Sequence, residues 1–354
     1  METDNWVSGH LITLFEEWSG EKARTISALP ESGSYRYYVR ISSDSRMAVG
    51  VHYPDLRENQ AFIGFARHFR GLGLPVPELY AVSSDGTTYL QEDLGDVDLF
   101  TLLHDPATAD PRSEERIKVL TQVIEWLPVF QVEGHQSLDY SLAYPRRSFD
   151  RQSMLWDLNY FKYNFLKLVR MPFDEQALED DFHVFTDFLC QAPTGFFLYR
   201  DFQSRNIMIR DGRTGFIDFQ GGRMGFPAYD LASLLFDAKA GFEPAERDWM
   251  YRLYRERLAA YDPAWGDELD RFFAGFILVR KLQALGAFGF RGLIENKKSF
   301  LLSIPPALAN LDYVTAHYRL EPGIPELWRI LNELPHCPGM KRILQDIRTQ
   351  PFGS

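Results

Sequence analysis

Cysteine is scarce in this chain: two in 354 residues, Cys190 and Cys337, far apart and in no CxxC spacing. That excludes a disulfide framework and a cysteine-built zinc site, and it is the usage of a reducing cytoplasm. Positive charge is also short, with 38 Lys and Arg against 49 Asp and Glu and a formal net charge of −11. Nucleic acid is therefore not expected as a partner, because backbone binding scales with the cations presented to phosphates. Long apolar runs are missing too. The longest, Phe272 to Val279, is far below the roughly 20 residues that cross a bilayer, so no membrane is expected as a partner. The first residues, METDNWVSGHLITLFEEWSG, are acidic and broken by charges, whereas a secretory leader needs a basic start and an unbroken apolar core. The expected location is the cytoplasm. The eight histidines fall in no HExxH or other ligand spacing, and no internal repeat or low-complexity segment is present. Between Lys22 and Lys118 there is not one lysine.

What is present is enough apolar material for a large core: 45% hydrophobic and 15% aromatic residues, in a length that suits two or three folding units. Asp4 can cap a helix whose apolar positions run from Trp6 to Trp18, with Gly20 to end it. From Ile26 to Tyr53 the runs SYRYYVRI and RMAVGVHY alternate and are broken by turn residues, which predicts antiparallel strands. Glu58 to Arg70 predicts a helix ending at Gly71, and the segments PVPELYAV and TTYLQEDL flank a Ser-Asp-Gly turn. After Gly95 the periodicity is mostly helical, at Glu114–Phe130, Met154–Val169, Glu175–Cys190, Asp230–Lys239, Ala245–Tyr261 and Asp267–Phe288. This is an α+β organisation: residues 1–93 form a small lobe with an antiparallel sheet, residues 94–354 a larger, mainly helical lobe, and the hinge lies near Gln91 to Asp96.

The stretch YRDFQSRNIMIRDGRTGFIDFQGG, residues 199–222, carries the chemistry. Asp201 precedes Asn206 by five positions, and Asp218 follows after two short runs around Asp211-Gly212. A hairpin there would bring Asn206 and Asp218 together at one end. Phosphoryl transfer needs such a set: a carboxylate to take the acceptor's proton, and hard oxygen ligands for Mg²⁺ on the phosphates.

YRDFQSRN resembles the His-Arg-Asp-x-x-x-x-Asn catalytic loop of protein-kinase-like enzymes, and IDFQ resembles their Asp-Phe-Gly element. The bulky residues between Asp201 and Asn206, the Tyr229-Asp230-Leu231-Ala232 motif and the lack of an Ala-Pro-Glu segment make the chain similar to the aminoglycoside phosphotransferase and choline kinase group. Within it, SYRYYVR, ENQAF, LPVPELY, LQEDLG and DFQ look most like kinases that phosphorylate the anomeric hydroxyl of N-acetylmuramate or N-acetylglucosamine. The resemblance covers most of the chain, from Ser32 to at least Asp237 and the later helices only in general character, and implies a protein-kinase-like two-lobed fold. It also implies ATP and Mg²⁺ as cofactors and a small-molecule hydroxyl, an amino sugar first, as partner. A choline or aminoglycoside kinase and a nucleotide-binding pseudokinase regulator are the alternatives, and the oligomeric state is left open.

On that resemblance Asp201 is the base, Asn206 and Asp218 hold metal, and Gln91, Glu92 and Leu94 lie along the adenine. Arg205 either neutralises the transferring phosphate or faces solvent. Arg200 is expected to hold the loop by an ion pair, and Asp230 to brace it through backbone N–H groups. Gln203 orients substrate or stiffens the loop. Asp157 and Tyr160, with Tyr163 and Asn164, share a helical face that is either a sugar shelf or core. The departure is the missing third-strand lysine, since RMAVGVHY offers only Arg46 and His52. Phosphate charge then falls to Arg36 or Arg40, to the backbone N–H groups of the turn Ser32, Gly33, Ser34 and Tyr35, or to metal alone, and Glu58 is either the helix Glu of the family or an N-terminal helix charge.

Overall fold

A computed structural model describes residues 2–30 and 36–349. The expected phosphate turn, Ser32 to Tyr35, lies outside these residues. The first part of the chain comprises α1 (Glu2–Ser19), β1 (Thr25–Ala28), β2 (Tyr37–Ser42), β3 (Met47–His52), α2 (Leu56–Gly71), β4 (Leu79–Val82) and β5 (Thr88–Gln91). The five strands form one antiparallel sheet in the order β1-β2-β3-β5-β4.

Strand alternation sorts the two faces. Val39, Ile41 and Ala48 pack with Leu90 under Leu11 and Phe15 of α1, whereas Val49 and Val51 join Phe62, Phe65 and Phe69 of α2 on the other side. Gly50 lets α1 come down on the sheet, since a Cβ there would lie 2.7 Å from Leu11 Cδ2. Asp55 caps α2 through the Arg57 N–H at 3.0 Å, which moves the helix start ahead of Glu58.

The rest is mainly helical: α3 (Leu99–His104), α4 (Glu114–Val132), α5 (Arg151–Phe161), α6 (Glu175–Leu189), β6 (Phe197–Leu198), β7 (Ile207–Arg210), β8 (Arg213–Phe216), β9 (Arg223–Met224), α7 (Ala228–Leu235), α8 (Pro244–Ala259), α9 (Pro263–Phe288), α10 (Lys298–Leu301), α11 (Ile304–His317), α12 (Pro325–Glu333) and α13 (Pro338–Thr349). The strands pair as two short ribbons, β6 with β9 and β7 with β8. The architecture is thus the expected kinase-like one, a small antiparallel sheet followed by a helical body. The three helices after residue 303 are additions that the sequence patterns did not single out.

Helix α9 organises the body. With its π-helical continuation to Ile294 it has an 18-residue window of mean hydropathy 1.3, long and apolar enough to cross a membrane by composition, but 72% of that window is buried inside the protein. Helices α5, α7 and α8 pack against it, so its apolar character is that of a core helix covered all round. Contact with α5 is backbone-close: a Cβ on Gly286 would lie 2.9 Å from the Phe161 nitrogen and 2.8 Å from Tyr160 Cδ1.

Candidate active site

Strand β6 delivers the chain into the loop through Arg200, a non-glycine residue at φ 80. Such a conformation persists only where the surroundings over-determine it. The Tyr199 and Arg200 N–H groups donate to the two oxygens of Asp230 at 2.8 and 2.9 Å. Burial pushes the Asp230 carboxyl up to about 7, against these hydrogen bonds. The Arg200 guanidinium forks onto Asp157 at 2.8 and 2.7 Å and lies 4.9 Å from the ring centroids of Phe149 and Tyr229. The loop is thereby fastened to α5 and α7 at once.

Beyond the fastening, Asp201 is half-buried. The loop is tied again where Ser204 donates to Asp237 from its nitrogen at 3.1 Å and its hydroxyl at 2.5 Å. Asn206 then donates from Nδ2 to the Asp201 carbonyl at 2.8 Å and to Asp218 Oδ2 at 3.1 Å. The hairpin makes this possible. Register runs from Ile207 opposite Phe216 to Arg210 opposite Arg213, with Asp211 (φ 51) and Gly212 (φ 70) in the turn. At the open end the Ile217 N–H reaches the Asn206 carbonyl at 3.0 Å.

Asp218 is itself at φ 68, and its other oxygen accepts from Gln220 at 2.6 Å. Burial and the charge of Asp201 raise its pKa, while Gln220, Arg36 and Asn206 oppose the shift. Phe219 next to it stacks on Phe62 at 5.1 Å, and Phe62 on Tyr89 at 4.9 Å, so the pair is pinned to α2 and β5. Among the described residues no three or more of His, Cys, Asp and Glu gather as a metal cluster. Two carboxylates and one amide are the donors on offer, an all-oxygen set of the kind Mg²⁺ accepts when phosphates supply further ligands.

Arg36 approaches from the sheet. Its side chain is 4% exposed, and Nη2 meets Glu58 Oε2 at 2.7 Å. Its guanidinium lies 4.8 Å from the Tyr53 ring centroid. After β5, the Glu92 N–H is spent on the Glu78 carbonyl at 2.8 Å and the Asp93 carbonyl accepts Arg210 at 2.8 Å. The Glu92 carbonyl and the Leu94 N–H have no hydrogen-bond partner among the described residues. Leu94's side chain covers the hairpin, where a Cβ on Gly215 would lie 2.9 Å from Leu94 Cδ1.

Asp201 and Gln203 open onto a cavity of about 160 Å³. Its polar wall is Ser233 and Asp237 near α7 with Arg280, Lys281 and Gln283 of α9, and Phe288 and Phe300 close its apolar side, their centroids 6.2 Å apart.

The model of the phosphotransferase enzyme family matches residues 19–269, more than half of the chain. The chain belongs to that family. An N-acetylmuramate/N-acetylglucosamine kinase of Pseudomonas aeruginosa is 24% identical over 340 residues, 93% of this chain and 95% of the relative. The protein of the same name from Neisseria meningitidis serogroup B is 31% identical over 177 residues, 48% of this chain and 53% of the relative. Among solved structures, choline kinase from Cryptosporidium parvum superposes with a TM-score of 0.58 at 10% identity, covering 93% of this chain and 99% of its own. The chain is thus a phosphotransferase enzyme with a kinase-like fold.

Set against this phosphotransferase framework, the residues singled out in sequence divide. Asp201, Asn206 and Asp218 come together, with Arg36 and Gln203 at their edges. Arg40 does not join them: its guanidinium is taken by Asp93, at 2.5 and 3.0 Å, and by Asp96 at 2.8 Å. Two carboxylates already satisfy it, so a phosphate would have to displace them. Arg205 is exposed and lies 4.0 Å from the Phe100 ring centroid.

Asp157 is likewise engaged within the protein. It neutralises Arg200, and Tyr160 is packed against Gly286 where α5 meets α9. Tyr163 is half exposed, with Lys162 and Lys167 each 4.9 Å from its ring. Of these aromatic positions, Tyr160 is packed between helices and Tyr163 is not. Arg280 and Lys281 are functional candidates that the motifs do not reveal. Their signal in the sequence is two adjacent cations inside an otherwise apolar helix, LVRKLQALGAF, which must be buried for a reason.

Proposed function

We propose that the protein transfers the γ-phosphoryl group of ATP to the anomeric hydroxyl of an amino sugar, N-acetylmuramate or N-acetylglucosamine, in the cytoplasm. The observation that carries it is the placement of Asp201: its backbone supports Asn206 beside Asp218, while its side chain lines a cavity with one polar and one apolar side. The sugar identity is supported by the name shared by the curated relatives. In this reading residues 1–93 carry the nucleotide and residues 94–354 the acceptor. The Glu92 carbonyl and Leu94 N–H offer an acceptor and a donor two residues apart for the adenine edge. Asn206 and Asp218 would hold Mg²⁺, which supplies charge neutralisation on the phosphates.

Asp201 accepts the hydroxyl proton as the sugar oxygen bonds to the γ-phosphorus. The bond from that phosphorus to the β,γ-bridging oxygen breaks, and ADP leaves. Phe288 and Phe300 suit the apolar face of a pyranose, with Gln203, Ser233 and Gln283 for its hydroxyls. Arg280 and Lys281 disfavour a cationic acceptor such as choline or an aminoglycoside, because like charge is costly in a desolvated site.

Arg36 stands in for the missing lysine: it is held by Glu58 on α2 and its charge reaches Asp218. Replacing Arg36 by Ala should weaken ATP by roughly tenfold or more, the worth of a charge-assisted hydrogen bond, while adenosine changes little. Titration of both ligands decides this, and equal losses would refute the phosphate role. The acceptor is tested with the free sugars and their methyl glycosides in an ADP-release assay. Free sugars should turn over, and glycosides, which lack the anomeric hydroxyl, should not. Phosphorylation of the glycosides, or turnover confined to choline or aminoglycosides, would refute the anomeric reading.

A further inference from the structure

The acceptor cavity holds two buried cations that make no direct ion pair among the described residues, although the carboxylates of Asp201 and Asp237 share its lining. Arg280 and Lys281 sit side by side on α9, 9% and 3% exposed. Arg280 spends Nε on Ser233 Oγ at 2.9 Å and Nη1 on Gln283 Oε1 at 2.6 Å, both neutral groups. Lys281 has no hydrogen-bond or ion-pair partner among the described residues. The carboxylate whose charge it feels is Asp237, which is occupied by Ser204 and by the Lys239 N–H at 3.0 Å, while Arg280 and Arg247 repel it. Burial and the Arg280 charge push the Lys281 ammonium down to about 7.

A buried cation without a counter-charge is expensive, and exchange for a neutral side chain would relieve the cost. The surplus is intelligible when an anion completes the site. In the reading above the nucleotide's phosphates are met by Arg36 and by the Mg²⁺ that Asn206 and Asp218 would hold, which leaves an anionic group on the acceptor as the partner for this pair. Of the two sugars in the proposed reaction, N-acetylmuramate differs from N-acetylglucosamine by a lactyl ether that ends in a carboxylate.

We propose that Lys281, with Arg280 beside it, forms a carboxylate-reading subsite of the acceptor cavity and makes the acidic sugar N-acetylmuramate preferred over neutral N-acetylglucosamine. This rests on the amino-sugar reading above. The ammonium is a compact donor that can turn to either carboxylate oxygen, whereas the guanidinium, fixed by Ser233 and Gln283, adds field without moving.

The test compares kcat/KM for N-acetylmuramate, its methyl ester and N-acetylglucosamine, in the wild-type protein and in Lys281→Met. The wild type should favour the acid over both neutral sugars. In Lys281→Met the ratio of acid to neutral sugar should fall by roughly 10–100-fold, mostly through KM, as expected for one charged hydrogen bond. Equal turnover of acid and ester by the wild type overturns the subsite while leaving the amino-sugar reading intact, and needs no variant to fold. A variant that loses all sugars in proportion, with the ratio unchanged, also overturns it and assigns Lys281 to phosphoryl transfer or to stability. No turnover of any of the three sugars overturns the amino-sugar reading and the subsite with it.

Discussion

Asp201→Asn should lower turnover by roughly 10²–10⁴, the usual worth of a general base, and leave nucleotide affinity within a few-fold. Asn keeps the shape of the side chain, and the part of residue 201 that positions Asn206 is its backbone carbonyl, which the substitution does not touch. What is lost is the basicity of the carboxylate, since an amide oxygen hardly accepts a proton. Removing the charge also relieves the repulsion that raises the pKa of Asp218, so binding of the Mg²⁺-nucleotide has no reason to weaken. Steady-state ADP release and calorimetric nucleotide binding on the same preparation separate the two effects. Wild-type turnover would remove Asp201 from the mechanism, and a parallel loss of nucleotide binding would show that it holds the metal.

The second large effect is on stability. Asp157→Ala leaves the Arg200 guanidinium, 14% exposed, without its carboxylate between the rings of Phe149 and Tyr229. Breaking a buried pair from one side costs about 3–5 kcal/mol, because the remaining charge stays desolvated. Removal of both charges is milder, so Asp157→Leu combined with Arg200→Met should recover much of the loss. Urea midpoints at unchanged m measure both. A loss below about 1 kcal/mol for Asp157→Ala would mean that the pair is effectively solvated and that Arg200 is held by Asp230 alone. Activity should fall with Asp157→Ala as well, since the φ 80 backbone at Arg200 sets where Asp201 points.

The parts of this site that lie close in sequence are legible from the residues alone. Asp201, Asn206 and Asp218 fall within 18 positions, and the Asp211-Gly212 turn between them fixes their meeting by register. Strand alternation in residues 37–52 and the helical periods of α2, α4 and α6 are equally readable, because side-chain direction repeats every two or 3.6 residues whatever the fold does next. Arg36 and Arg40 mark where this ends. They stand four residues apart and are indistinguishable in sequence as phosphate ligands, but Arg36 meets Glu58 beside Asp218, and Arg40 is captured by Asp93, 53 positions away.

The same limit governs the acceptor side. The Asp157 and Tyr160 spacing on α5 and the Arg280-Lys281 pair on α9 each mark a buried polar face, and periodicity reports that a face is covered without reporting by what. Packing gives α5's carboxylate to Arg200, 43 positions on, and uses Gly286 to bring the backbones of α5 and α9 together at Tyr160. The cavity is left on another side of α9, between α7 and α10. The element types, the hairpin and the meeting of Asn206 with Asp218 follow from local conformational preference, so the amino-acid order suffices for them. Which cation stands beside Asp218 and which lines the cavity depends on the elements that meet across the core, and only the packed fold decides it.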